Sequence, residues 1–99
     1  MNNVILKYKA KYPIGSILKH KACDLMMRVV DYKFYPGHLN AYKILCEEHV
    51  VVEHIYSLIN RRRDLSVFYV DVLDQYKIIT LDECNTILNK RGLPSYASV

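Results

Sequence analysis

The sequence predicts a mainly β domain: a five-stranded antiparallel sheet, closed into a small barrel or strongly bent, with one C-terminal α-helix. Three observations lead there. Apolar runs of strand length follow one another between residues 17 and 79, separated by turn residues. A T-x-x-E box at Thr80 and Glu83 opens a helical pattern. Gly92 and Pro94 then close it, as a left-handed terminator and a residue that prevents resumption.

Taken in order, YPIGS at 12–16 is a turn feeding a strand, with Pro13 fixing its own φ and Gly15 relieving the bend. Ile17 to Lys21 continues as a short strand. Leu25 to Tyr35 is the strongest strand pattern in the chain. Its apolar residues (Met26, Met27, Val29, Val30, Tyr32, Phe34) depart from strict alternation, which predicts a bulge near Val29–Asp31. Pro36-Gly37 supplies a turn, and Ala41 to Glu47 returns with Tyr42, Ile44 and Cys46 on one face. VVVEHIYSLIN at 50–60 fits a strand through its β-branched run. It also fits a helix, because Val52, Ile55, Tyr56 and Ile59 recur at i, i+3, i+4 and i+7. The reading favoured is strand through Val52, then an irregular or helical turn carrying Arg61, Arg62 and Arg63. Ser66 to Val70 is a further strand, Val72 to Tyr76 a tight turn, and Ile78-Ile79 a last short strand. In the terminal helix, 81–91, Leu81, Cys84 and Leu88 share one face, and Lys90 and Arg91 complement the negative end of its dipole.

Ninety-nine residues predict a single domain, about 12–80 forming the β part. With 52% hydrophobic and 24% charged residues, the composition belongs to a folded chain and not a disordered one. Nine tyrosines against two phenylalanines and no tryptophan suit half-buried sheet walls and interfaces. The charge is uneven. Residues 1–43 hold eight lysines and arginines against two aspartates, whereas the rest hold six basic groups against eight acidic ones. A basic half of this kind meets nucleic acid or an acidic protein surface. Neither a signal peptide nor an apolar stretch long enough to cross a bilayer is read in the chain. Three cysteines without a C-x-x-C spacing predict free thiols in a reducing, cytoplasmic setting.

G-x-I-L-x-H-K at 15–21, M-x-V-x-D-Y at 27–32, Y-x-I-x-C at 42–46 and YVDVLDQYKI at 69–78 together resemble the SH3-like small barrels, including the KOW and Tudor types. The resemblance is one of fold and covers roughly two-thirds of the chain. It implies a meander with a bulged second strand, a tight turn before the last strand, and a binding role without catalysis. The lysine-, asparagine-, isoleucine- and tyrosine-rich style also resembles small accessory proteins of bacteriophages, which implies inhibition of a host or defence enzyme.

The chain offers three sets of candidate residues. Arg61, Arg62 and Arg63, with Tyr56 and Tyr69, are candidates for contact with an acidic protein surface, because arginine and tyrosine are enriched at interface hot spots. Lys19, Lys21 and Lys33 with Tyr32 and Tyr35 form the nucleic-acid alternative, in which rings stack on bases and lysines track phosphates. HKAC at 20–23 and CEEH at 46–49 carry His20, Cys23, Cys46 and His49, a tetrahedral zinc set by chemistry if a meander brings both to one sheet edge. Residues three apart on a strand point to opposite faces, and Cys46 has the spacing of a core residue. The set is therefore read as strand ends rather than a metal site. The three glycines are isolated, so no phosphate-binding loop is present in the sequence. No segment supplies an oxyanion cradle for a Cys–His pair. The expectation is a non-enzymatic binding module without a cofactor, recognising a macromolecular partner, with nucleic-acid binding as the alternative and a zinc-stabilised domain as the second alternative.

Overall fold

The computed structural model describes residues 4–40 and 43–96, with side chains outside residue 4 and residues 35–47. The chain runs α1 (Val4–Lys11), β1 (Ile17–His20), β2 (Met26–Asn40), β3 (Lys43–His54), α2 (Ile55–Ile59), β4 (Leu65–Tyr69), a 3-10 helix (Val70–Gln75), β5 (Tyr76–Ile79) and α3 (Leu81–Lys90). The strands form one antiparallel sheet in the order β4-β3-β2-β1-β5. β4 and β5 end the sheet on opposite sides, so it is open and does not close into a barrel.

The bulge predicted in β2 is present. Pairing passes from Val29 opposite Val52 to Asp31 opposite Val51, leaving Val30 as the extra residue. The inserted residue explains the broken alternation, because it lets Val29 and Tyr32 face the same side although they are three apart. The turn read at Pro36-Gly37 is not there. β2 runs on to Asn40, with Pro36 opposite Cys46 and Gly37 opposite Leu45. Proline is tolerated because, among the described residues, β1 pairs with β2 only at Met26 to Arg28 and Gly15 and Ser16 bond Val29, so no strand pairs with that side of β2 at Pro36. Ala41 and Tyr42, read as the start of the returning strand, lie outside the described residues. The ambiguous segment divides as favoured, except that the strand extends to His54 before α2 begins.

Both faces of the sheet are covered. On one face, Leu18, Met27, Val29, Tyr32, Val50, Val52 and Tyr76 pack with Ile5, Tyr12, Val70 and Leu73. On the other, Ile17, Met26 and Ile79 pack with Ile55, Tyr96, and Cys84 and Leu88 of α3. Residues 4–11 were not read as a helix, yet α1 is a lid on the first face. Its Lys7, Lys9 and Lys11 are exposed, while Ile5, Tyr8 and the following Tyr12 turn inward. The Tyr32 hydroxyl donates to the Tyr12 carbonyl at 2.6 Å, and Tyr8 donates to Asp74 Oδ2 at 2.7 Å. The hydrogen bond to Asp74 pushes the Tyr8 phenol up to about 12, and burial does the same for Tyr32.

The terminal helix follows its sequence signals. Thr80 accepts from the Glu83 amide, and Glu83 accepts from the Thr80 amide. Cys84 and Leu88 are fully buried, and Leu81, on the same face at the first turn of the helix, is exposed. Each buried aliphatic side chain of this size contributes about 1.5–3 kcal/mol. At the far end Gly92 donates to the Asn89 carbonyl and Leu93 to Leu88, with Gly92 at φ +72°. This is the Schellman geometry, in which a residue free to adopt positive φ lets the chain satisfy the last carbonyls.

Candidate functional site

α2 ends the same way as α3 but with a different residue. Arg61 donates to the Leu58 carbonyl and Arg62 to Ser57, with Arg61 at φ +58°. Among the described residues other than glycine, only Arg61 has positive φ. A side chain in the left-handed region costs about 1 kcal/mol relative to glycine. The chain therefore holds an arginine, at a cost, where α3 carries glycine.

Arg61 lines an open cleft of about 670 Å³ together with Arg28, Glu53, Leu58, Ile59, Arg63, Ser95 and Tyr96. β2 and β3 supply Arg28 and Glu53, which face each other in the ladder. α2 supplies the apolar Leu58 and Ile59, and the segment after α3 supplies Tyr96, whose amide is fixed by Asn85 Oδ1 at 2.7 Å. Glu53 is 2% exposed and receives hydrogen bonds from Arg28 Nη2, at 2.9 Å, and from Arg63 Nε. Burial alone would push its carboxyl up, but the two guanidinium contacts outweigh that and hold it below the usual carboxylate range. One buried acid thus organises two arginines. Among the described residues, the Arg28 Nε is buried without a hydrogen-bond partner. Among the described residues that line it, three arginines stand against one carboxylate, over an apolar floor.

The residues singled out from sequence do not form one patch. Arg61 and Arg63 line the cleft, and Arg62 is exposed outside it. Tyr56 is half-buried: its hydroxyl donates to the Asp24 carbonyl at 2.8 Å, and Arg91 lies over its ring. That tyrosine ties α2 to the loop before β2 and to the end of α3. Tyr69, at the other end of β4 from the arginine turn, is 55% exposed and stacks on His49 at 4.7 Å. Arg28, Glu53, Leu58, Ile59 and Tyr96 were missed. The available signal was Glu53, a lone acid beside the β-branched run VVV, which marks a charge on a strand with a buried neighbourhood.

The lysine–tyrosine set is dispersed as well. Tyr32 is 9% exposed and serves the core. Lys19 lies 3.8 Å from Asp24, and Lys21 donates to the Asp74 carbonyl at 2.8 Å. Lys33 stands opposite His49 in the β2–β3 ladder, away from β1. The Tyr35 side chain lies outside the described residues.

HKAC and CEEH do not meet at one edge. β3 continues to His54, and it is this end, not His49, that pairs beside the start of β2 at Met27. His49 pairs with Lys33, which at about 3.3 Å per residue is roughly 20 Å along β2 from Met27. The β-branched run Val50–Val52 is what keeps the strand going. His20 Nδ1 accepts from the Ala22 amide at 3.0 Å and meets Tyr76 edge-on, and Cys23 is exposed in the loop. The Cys46 side chain lies outside the described residues, among which no group of three metal-ligating side chains occurs. No helix among the described residues is long and apolar enough to cross a membrane. Comparison with known proteins gave no matching family, no matching curated protein and no matching solved structure.

Proposed function

We propose that the protein is a non-enzymatic binding domain whose cleft takes an acidic, partly apolar segment of a protein partner. The observation that carries this reading is Arg61, held in the left-handed region where glycine would be more stable, and lining a cleft with Arg28 and Arg63. Strain kept at one position is a signature of a residue retained for contact. Guanidinium groups match carboxylates bidentately, and Leu58, Ile59 and Tyr96 offer apolar contact beside them. The strand order, the bulged β2 and the 3-10 turn before β5 support the likeness to SH3-like barrels, here opened. The domain then acts by occluding or recruiting its partner, in keeping with a cytoplasmic, phage-type inhibitor.

Arg61→Gly separates this reading from a merely structural arginine. The expected result is a melting temperature raised by the equivalent of about 0.5–1 kcal/mol. Binding of a Glu/Leu-rich peptide, followed by fluorescence anisotropy, weakens about tenfold in the same variant. Peptide affinity untouched by Arg61→Gly and by Arg61→Ala/Arg63→Ala together would remove the cleft from contention.

A second reading rests on a different surface. Lys11, Lys21 and Lys77 surround a groove of about 300 Å³ with Tyr12, Tyr76 and Ile78, and α1 adds exposed Lys7 and Lys9. That concentration of cations favours nucleic acid on this side of the molecule. A gel shift with short oligomers, falling steeply with salt, is its expected mark.

A further inference from the structure

β4 carries the features of an unprotected sheet edge. Edge strands are commonly blunted by charges, proline, bulges or a covering element. Leu65-Ser66-Val67-Phe68-Tyr69 has no charge and no proline, and it pairs with β3 in unbroken register over all five residues. Among the described residues no strand pairs with its other side. Leu65, Val67 and Tyr69 alternate on one face at 52%, 47% and 55% exposure, a continuous apolar stripe. At the opposite end of the sheet, β5 is four residues long and carries Lys77.

We propose that two copies of the chain join along β4, antiparallel and centred on Val67, so that the sheet continues from one protomer into its partner. The occupant is a second copy because the strand is complementary to itself. A two-fold axis at Val67 sets Leu65 opposite Tyr69 and Ser66 opposite Phe68, with no like charges brought together along the strand. Charge complementarity adds to this at both ends. The arginine turn, residues 61–63, precedes β4 with Asp64 between them, whose carboxylate accepts from Ser57, and Asp71 follows two residues after Tyr69. Antiparallel pairing lays each arginine turn beside the other protomer's Asp71, once at each end by symmetry. The surface is the same patch on both protomers, which is what a two-fold dimer requires. The dimer shares the arginine turn with the cleft, but its oligomeric state and strand register are read without any ligand in the cleft.

Sedimentation velocity over a range of protein concentrations tests it. The wild-type chain is expected to pass from monomer to dimer in the micromolar range. Val67→Lys stays monomeric at every concentration, and Ile78→Lys on the opposite edge strand dimerises as the wild type does. Circular dichroism establishes that each variant keeps its fold. The register is read separately by oxidative cross-linking in a Cys23→Ser/Cys46→Ser background. Val67→Cys cross-links to itself, because directly opposed strand residues have Cα atoms about 4.5–5.5 Å apart, within disulfide range. Leu65→Cys alone does not, but it cross-links when mixed with Tyr69→Cys. A wild-type chain that remains monomeric throughout, or cross-linking that ignores this pairing, overturns the proposal.

Discussion

Deleting residues 1–12 is expected to abolish the cooperative fold. Three residues of α1 are exposed lysines, but Ile5, Tyr8 and Tyr12 close the first core. Removing them uncovers Leu18, Met27, Val29, Val50 and Val52, all of them fully buried. Burial of Ile5 and Tyr12 alone contributes about 1.5–3 kcal/mol each. Against a total stability of about 5–15 kcal/mol for a domain, and with the newly bared sheet face added, little remains. The deleted chain is expected to show no sharp thermal transition and to bind a hydrophobic dye. Tyr32→Phe grades the same contact. Its lost hydroxyl leaves the Tyr12 carbonyl without that donor, at a cost of about 1–3 kcal/mol. For a domain of this length each kcal/mol lowers the melting temperature by about 4–8 °C. A truncated chain melting as sharply and as high as the full one would show that α1 is dispensable.

Why α1 escaped the sequence reading is instructive. Lysines at 7, 9 and 11 alternate with Tyr8 and Ala10, a period of two that hides the helical stripe of Ile5, Tyr8 and Tyr12 at i, i+3 and i+7. By contrast the β2 bulge and the α3 cap were legible, because each depends on neighbours in sequence: one inserted residue, or two side chains three apart. Long-range consequences were less so. Pro36-Gly37 is a turn signal by local chemistry, and the structure overrides it because, among the described residues, β2 has a strand partner on only one side there. The cleft was half legible. RRR at 61–63 was visible as a cationic run, but its pairing with Glu53 and its approach to Arg28 depend on strand register, which residue types alone do not set. His20 and His49 were read as possible neighbours for the same reason, by ending β3 several residues too early.

Glu53→Gln has the second large expected effect, and it separates the stability of the cleft from its chemistry. The substitution keeps an amide oxygen near Arg28 and Arg63 but removes the charge that both guanidinium groups oppose. Stripping one partner from a fully buried ion pair costs about 3–5 kcal/mol. Arg28 is about a quarter exposed and Arg63 mostly exposed, so solvent screening lowers the expected loss here to about 2–3 kcal/mol, nearly all of it through Arg28. The pH dependence carries the sign. The Glu53 carboxyl lies below its ordinary 4.5 in the folded chain, so its contribution is fully present above that value. It is lost as pH falls through the lower folded value. Wild type and Glu53→Gln should therefore differ most near neutral pH and converge in acid, as measured by urea unfolding at successive pH values. A difference that persists unchanged below pH 4.5 would place the effect in packing and not in charge. The same variant is expected to bind the acidic peptide more tightly while being less stable, because the cleft no longer neutralises its own arginines. Arg63→Ala should do the opposite: a stability change under about 1 kcal/mol, since the residue is mostly exposed, with weaker peptide binding. Opposite signs for the two variants require that the guanidinium groups serve the ligand as well as Glu53, whereas a purely structural cluster would move stability alone.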